Sequence, residues 1–215
     1  MKPSNLLSPL AVTMVAILLA TQARANPTFT AVTPIFGQVI ALRYPSQFRM
    51  VNEETKGANY LQESVKAGET VDQWSEMITL TGRQGAATLP QASPKAYVLN
   101  MFKGFQSARP ATFSILELGT QTIDGRESFA AIGSCGAVST SAEAAKHTAH
   151  SETALIVGIK GSADIYSIQW AERGQPSSRP LTLDAAGWKD RFKQWEPISV
   201  CEHGPNEIQN CAARK

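Results

Sequence analysis

Two β-forming runs, TALIVGIK at 153–160 and DIYSIQWAE at 164–172, flank a short turn built on Gly161 and Ser162. A glycine turn between two such runs is the signature of an antiparallel hairpin, and it is the strongest one in the chain. A lone hairpin is marginal in water, so this pair calls for further strands beside it and for elements packed on its faces.

Those strands are legible on both sides. FSILEL at 113–118 runs on toward Ile123, Asp124-Gly125 supplies a turn, and ESFAAIGSCGAV at 127–138 returns. Upstream, VIALRYP at 39–45 reads as a strand closed by proline, which cannot donate a ladder hydrogen bond. FRMV at 48–51 and NYLQESV at 59–65 form the next expected hairpin, across a polar loop containing Gly57. In the latter, Leu61, Glu63 and Val65 share one face and Tyr60, Gln62 and Ser64 the other, so neither face is purely apolar. Residues 26–38, with Pro27 and Pro34, read as an extended N-terminal arm leading into a single α+β domain over 39–200.

Three stretches change period. In GETVDQWSEMITL, 68–80, Thr70 and Gln73 stand at capping-box spacing, and Val71, Trp74, Met77 and Ile78 fall on one helical stripe. A helix is expected there, with Trp74 packing it on the sheet or, alternatively, offering a stacking platform to a ligand. In the second stretch Ser93 caps, Pro94 occupies the first turn where its missing N–H costs little, and Tyr97, Val98, Met101, Phe102 and Phe105 form an apolar face. The third follows Thr182 or Asp184 as cap: Trp188, Phe192 and Trp195 recur at i, i+4 and i+7 before Pro197 stops the helix. Its polar side is not strongly basic, which favours docking on a sheet over lying on a lipid surface.

The order of strand hairpin, helix, strand, longer helix, antiparallel strands and terminal helix resembles the PsbP-like fold, an α/β/α sandwich found in photosystem extrinsic proteins and in exported bacterial proteins. The resemblance rests on element order over about 150 residues and on the aromatic terminal helix. It implies an antiparallel sheet with helices packed on it and an accessory or binding role rather than a self-contained enzyme, and it transfers no site residue.

Residues 1–25 run from Lys2 through LLSPLAVTMVAILLA to ARA at 23–25, the pattern of a secretory signal peptide with a small-x-small cleavage site, too short in its apolar core for a membrane span. Removing these 25 of 215 residues leaves 190, with 18 basic and 18 acidic side chains, because Lys2 and Arg24 go with the signal. A formal charge of zero without a lysine or arginine run argues against a nucleic-acid partner. The expected location is periplasmic or secreted, and the expected partner is another envelope protein or a small apolar ligand.

An oxidising compartment decides how CEHGPNEIQNC at 201–211 is read. A zinc site would use Cys201, His203 and Cys211, yet lacks a fourth ligand and a tight local pair. A Cys201–Cys211 disulfide, closing a loop that turns at Gly204-Pro205, is the more direct reading and contributes roughly 3 kcal/mol in the chain-entropy account. Residues 201–215 are thus expected to be a disulfide-stapled tail, with no metal and no cofactor.

Cys135 is the odd thiol. It reads either as an inert buried cysteine or as the nucleophile of a cysteine-dependent periplasmic hydrolase or transferase, with His147, His150 or His203 as base; a Cys135–Cys201 bridge is a third possibility. There is no Gly-x-Ser-x-Gly elbow, His-Glu-x-x-His helix or Gly-x-x-x-x-Gly-Lys loop. Trp74 and Trp188 are the candidate ligand-binding residues, and a shared pocket between them would favour ligand carriage.

Overall fold

The hairpin expected over 153–172 forms the centre of the protein. The computed structural model describes residues 27–138, 150–204 and 207–213, so residues 1–25, expected to be a signal peptide, and His147 lie outside the described residues. Strands β8 (His150–Lys160) and β9 (Ile165–Gly174) pair antiparallel from Ser151↔Gly174 to Lys160↔Ile165. Around them β3 (Phe48–Lys56), β4 (Asn59–Lys66), β5 (Glu76–Arg83), β6 (Phe113–Ile123) and β7 (Arg126–Val138) complete a seven-stranded antiparallel sheet of order β3-β4-β5-β9-β8-β7-β6. The two-residue turn between β6 and β7 is the one expected, with Asp124 and Gly125 both at positive φ (49° and 75°), as a tight hairpin of this type requires.

The two faces of the sheet pack against different elements, and the one under α1 sets small side chains between larger ones. Ala131, Gly133, Ala154, Gly158 and Ala171 point to the face covered by α1 (Pro94–Ala108), whose Val98 and Phe102 are fully buried. Small residues let the helix approach: a Cβ at Gly158 would stand 2.8 Å from Val98. The helix starts as the sequence indicates, the Ser93 hydroxyl accepting from Ala96 N at 3.1 Å with Pro94 in the first turn.

Ile78, Leu80, Leu155, Val157, Ile168 and Trp170 project from the opposite face. They meet a second sheet, β1 (Thr28–Ile35), β2 (Gln38–Pro45) and β10 (Ser199–Glu202) in the order β1-β2-β10, together with α2 (Ala185–Trp195). Of the two caps the sequence offers for α2, Asp184 is used, its carboxylate accepting from Ala186 N and Gly187 N at 3.1 Å. The architecture is therefore α+β, with α1 on one face of the large sheet and α2 plus the small sheet on the other.

Two expectations are corrected. Residues 68–80 do not form a helix. Thr70 Oγ1 does accept from Gln73 N at 3.2 Å, but this closes a turn, and the chain then enters β5 at Glu76. Because β5 is an inner strand with Met77, Ile78, Thr79 and Leu80 all buried, it reads as a continuous apolar run without alternation, and a helical stripe can be drawn through it. Residues 28–35 are likewise more than an arm leading in: they are β1, paired residue for residue with β2.

The tail is also more than a staple. Cys201 lies in β10, opposite Val39, and is bonded to Cys211 in α3 (Glu207–Ala212), with a Cα–Cα distance of 5.9 Å. Cys201, Cys211, Val39 and Ala41 form a small cluster on the outer face of the second sheet, so the bridge holds a short lid over it. Replacing both cysteines by serine is expected to cost about 2 kcal/mol, read as a lower thermal midpoint with far-UV circular dichroism otherwise retained.

Buried polar groups fix how the two sheets meet. Gln38, fully buried, donates from Nε2 to Glu202 Oε1 (3.0 Å) and accepts at Oε1 from Ser162 N (3.0 Å). Asp164 accepts from Gly85 N (2.7 Å) and from the Tyr166 hydroxyl (3.0 Å). On the far side Val200 N donates to Asp124 Oδ2 (2.8 Å) and Arg126 Nε donates to Val200 O (3.3 Å). Each of these groups has a partner, so sliding one sheet over the other would leave several unsatisfied.

Candidate functional site

Cys135 stands in register with Glu152 on β8, which stands in register with Arg173 on β9, all on the α1 face. The thiol is 1% exposed and donates to Phe105 O at 3.1 Å, a carbonyl near the end of α1. Burial pushes its pKa up and the Glu152 carboxylate pushes the same way, with Arg109 opposing. Both main influences keep the sulfur protonated, which is the reverse of an activated nucleophile. Iodoacetamide is accordingly expected to modify Cys135 at least about tenfold more slowly in the native protein than in urea; equal rates would contradict the burial.

Glu152 is itself raised by burial, with Arg173 lowering it again. The Arg173 guanidinium lies 3.7 Å from the centre of the Trp74 ring. Trp74 thus spends one ring face on a cation at the end of β9 and packs beside the α1 cluster. His150 is two residues from Glu152, its Nε2 3.9 Å from Glu152 Oε2. His203 is at the opposite end of the large sheet, where its Nδ1 is 3.2 Å from Phe36 O; the structure does not bring it to Cys135. Cys201 and Cys211 are consumed by the disulfide, which removes both the zinc trio and a Cys135–Cys201 bridge.

Trp188, on α2, is buried on the other side of the large sheet, with the Arg191 guanidinium 4.6 Å from its ring centre. Trp74 and Trp188 therefore face different cores and do not line one pocket. The glycines flanking Cys135 also have packing reasons. A Cβ at Gly133 would fall 2.2 Å from the Phe102 ring, and one at Gly136 would fall 2.5 Å from Arg179 O.

A feature the sequence did not single out lies where β1 and β2 of the small sheet meet β3 and β4 of the large one. Phe29, Ala31, Tyr44, Phe48, Met50, Glu53, Gln62 and Ser64 line a groove of 380 Å³, within the size range of ligand sites. Phe29 (47% exposed) and Met50 (57%) stand at its mouth. Its polar floor is ordered: Tyr60 donates to Glu53 Oε1 at 2.6 Å, and Gln62 Nε2 donates to the Tyr60 hydroxyl at 3.2 Å. Burial pushes the Tyr44 pKa up to about 12, and Ser64 faces its hydroxyl without a well-formed hydrogen bond. A larger cleft of 520 Å³ lies between the tail and the outer face of the small sheet, but short side chains and Arg43 line it and it has no comparable apolar mouth. Of the two faces of residues 59–65, Gln62 and Ser64 look into the groove, while Glu63 on the other face binds Asn52 at 2.9 Å.

Among the described residues no group of three or more His, Cys, Asp or Glu side chains is placed to hold a metal ion, and no helix is long and apolar enough to cross a membrane. No protein-family model matches the chain, and no curated protein matches it in sequence. Among solved structures it is similar to the Ran-binding protein Mog1p of Saccharomyces cerevisiae, at 13% identity and TM-score 0.41, over 77% of this chain and 84% of that one. It is also similar to the cyanobacterial PsbP, CyanoP, of Synechocystis sp. PCC 6803, at 7% identity and TM-score 0.40, over 89% and 92%. The likeness concerns fold class and carries no residue, partner or activity across.

Proposed function

We propose that this chain is an exported binding or accessory protein of the bacterial cell envelope, acting in the periplasm or outside the cell and working by contact rather than turnover. The observation that carries the reading is the groove beside β1, where two exposed apolar side chains, Phe29 and Met50, stand together at the mouth of one cavity. The Cys201–Cys211 disulfide supports an oxidising compartment, and the protonated, buried Cys135 speaks against thiol catalysis. Chemical crosslinking in envelope extracts should trap a defined partner or apolar ligand in stoichiometric amount. Turnover of ester, amide or thioester substrates by the purified protein, abolished by Cys135→Ser, would overturn the proposal in favour of a cysteine-dependent hydrolase or transferase.

A further inference from the structure

Sheet edges expose unpaired backbone N–H and C=O groups, and folded proteins guard them with bulges, charges, short strands or covering groups. Among the described residues this protein has four edges, and three are guarded. β3 carries a bulge between Met50 and Asn52, and Arg49, Glu53, Glu54 and Lys56 line it with charge. β6 is bulged between Glu117 and Gly119. β10 is four residues long, and the Val200 N–H and C=O are taken by the Asp124 and Arg126 side chains.

β1 is the exception over most of its length. TFTAVTPI pairs with β2 over all eight residues without a register shift, contains no charged residue, and has no described strand on its outer side; its one guard is Pro34, next to the turn into β2, which leaves the backbone of 28–33 open. The groove opens along this same edge, so the unpaired backbone lies beside the exposed side chains of Phe29 and Met50. Both deficits have one remedy: a further strand beside β1 would satisfy its edge and cover Phe29 and Met50 with every second side chain. Resting on the binding function proposed above, we propose that the groove is a strand-addition site, and that its occupant is an extended segment of a partner protein with alternating apolar side chains and a lysine or arginine placed to meet Glu53.

The chemistry separates this occupant from its rivals. An acyl chain would fill the groove but leave the β1 edge unpaired. A second copy would bring another β1, which offers no basic residue to Glu53, the one charged side chain lining the groove. A basic segment supplies both the hydrogen bonds and the counter-charge.

The test is selection of phage-displayed random peptides of about nine residues, enough to span the strand, against the purified protein. Enrichment of alternating apolar sequences carrying lysine or arginine supports the proposal. The best synthetic peptide should then slow hydrogen exchange in residues 28–35. It should lose at least about tenfold in affinity when alternate backbone amides are N-methylated and in the Met50→Lys protein, while Val71→Lys, an exposed change away from the groove, leaves binding intact. Met50 is exposed, so its replacement tests the site without emptying the core. No enrichment, binding indifferent to N-methylation, displacement of the peptide by laurate, or self-association of the free protein that Met50→Lys abolishes would each overturn it. A partner trapped in envelope extracts equally well by the Met50→Lys protein would leave the binding function standing and remove this site from it.

Discussion

Trp195→Ala is expected to lower the unfolding free energy by about 4 kcal/mol, the largest effect of any single truncation considered for this protein. Trp195 is fully buried and stands where three elements meet. Its ring centre is 5.8 Å from that of Trp170 on β9 and 6.2 Å from that of Phe192 on α2, and the same cluster includes Ile198 and Val200 at β10. Trp170 cannot follow it into the space left behind. Its indole N–H donates to Glu76 Oε2 at 2.8 Å and its ring meets Phe48 edge-on at 5.4 Å. The cavity therefore stays open, and a cavity that cannot collapse is the costly kind. Trp195→Phe is the informative companion. The Trp195 indole N–H has no hydrogen-bond partner among the described residues, so phenylalanine gives up volume but no hydrogen bond, and a loss of about 1.5 kcal/mol or less is expected. Urea titrations followed by circular dichroism measure both. A Trp195→Ala protein within about 1 kcal/mol of the parent would show that α2 is not held through this residue.

Gly133→Val is expected to cost about 3 kcal/mol by overfilling the opposite core. A Cβ at that position would stand 2.2 and 2.4 Å from two Phe102 ring carbons, and Phe102 is pinned in turn by the sheet beneath and by Phe105, whose ring centre is 5.5 Å away. The ring must move, and α1 with it. If this clash is the cause, trimming the ring should relieve it. Gly133→Val combined with Phe102→Leu is then expected to be less destabilised than the sum of the single changes by at least about 1 kcal/mol. Strict additivity in thermal or urea unfolding would place the cost in the backbone of β7 instead. Because Gly133 is two residues from Cys135, the same experiment separates a packing glycine from one kept for chemistry at the thiol.

Local chemistry in the chain was sufficient for several elements. The β8–β9 hairpin, the Asp124-Gly125 turn, the Ser93-Pro94 start of α1, the Trp188-Phe192-Trp195 face of α2 and the Cys201–Cys211 pair all follow from residues near one another in sequence, where turn geometry, capping and loop closure act. Tertiary structure decided the rest. The segment at 68–80 carried a capping-box spacing, but its apolar residues were needed between β4 and β9, and burial on both faces outweighed helical propensity. Trp74 and Trp188 look alike as exposed-aromatic candidates in one dimension. Trp74 sits in the turn before β5 and packs beside α1, whereas Trp188 sits on α2 across the large sheet, so they face opposite cores, each under an arginine. The groove was beyond reach of the sequence for a related reason. Its walls come from β1, β2, β3 and β4, belonging to two different sheets, so it is set by how two layers pack and not by any local run of residues.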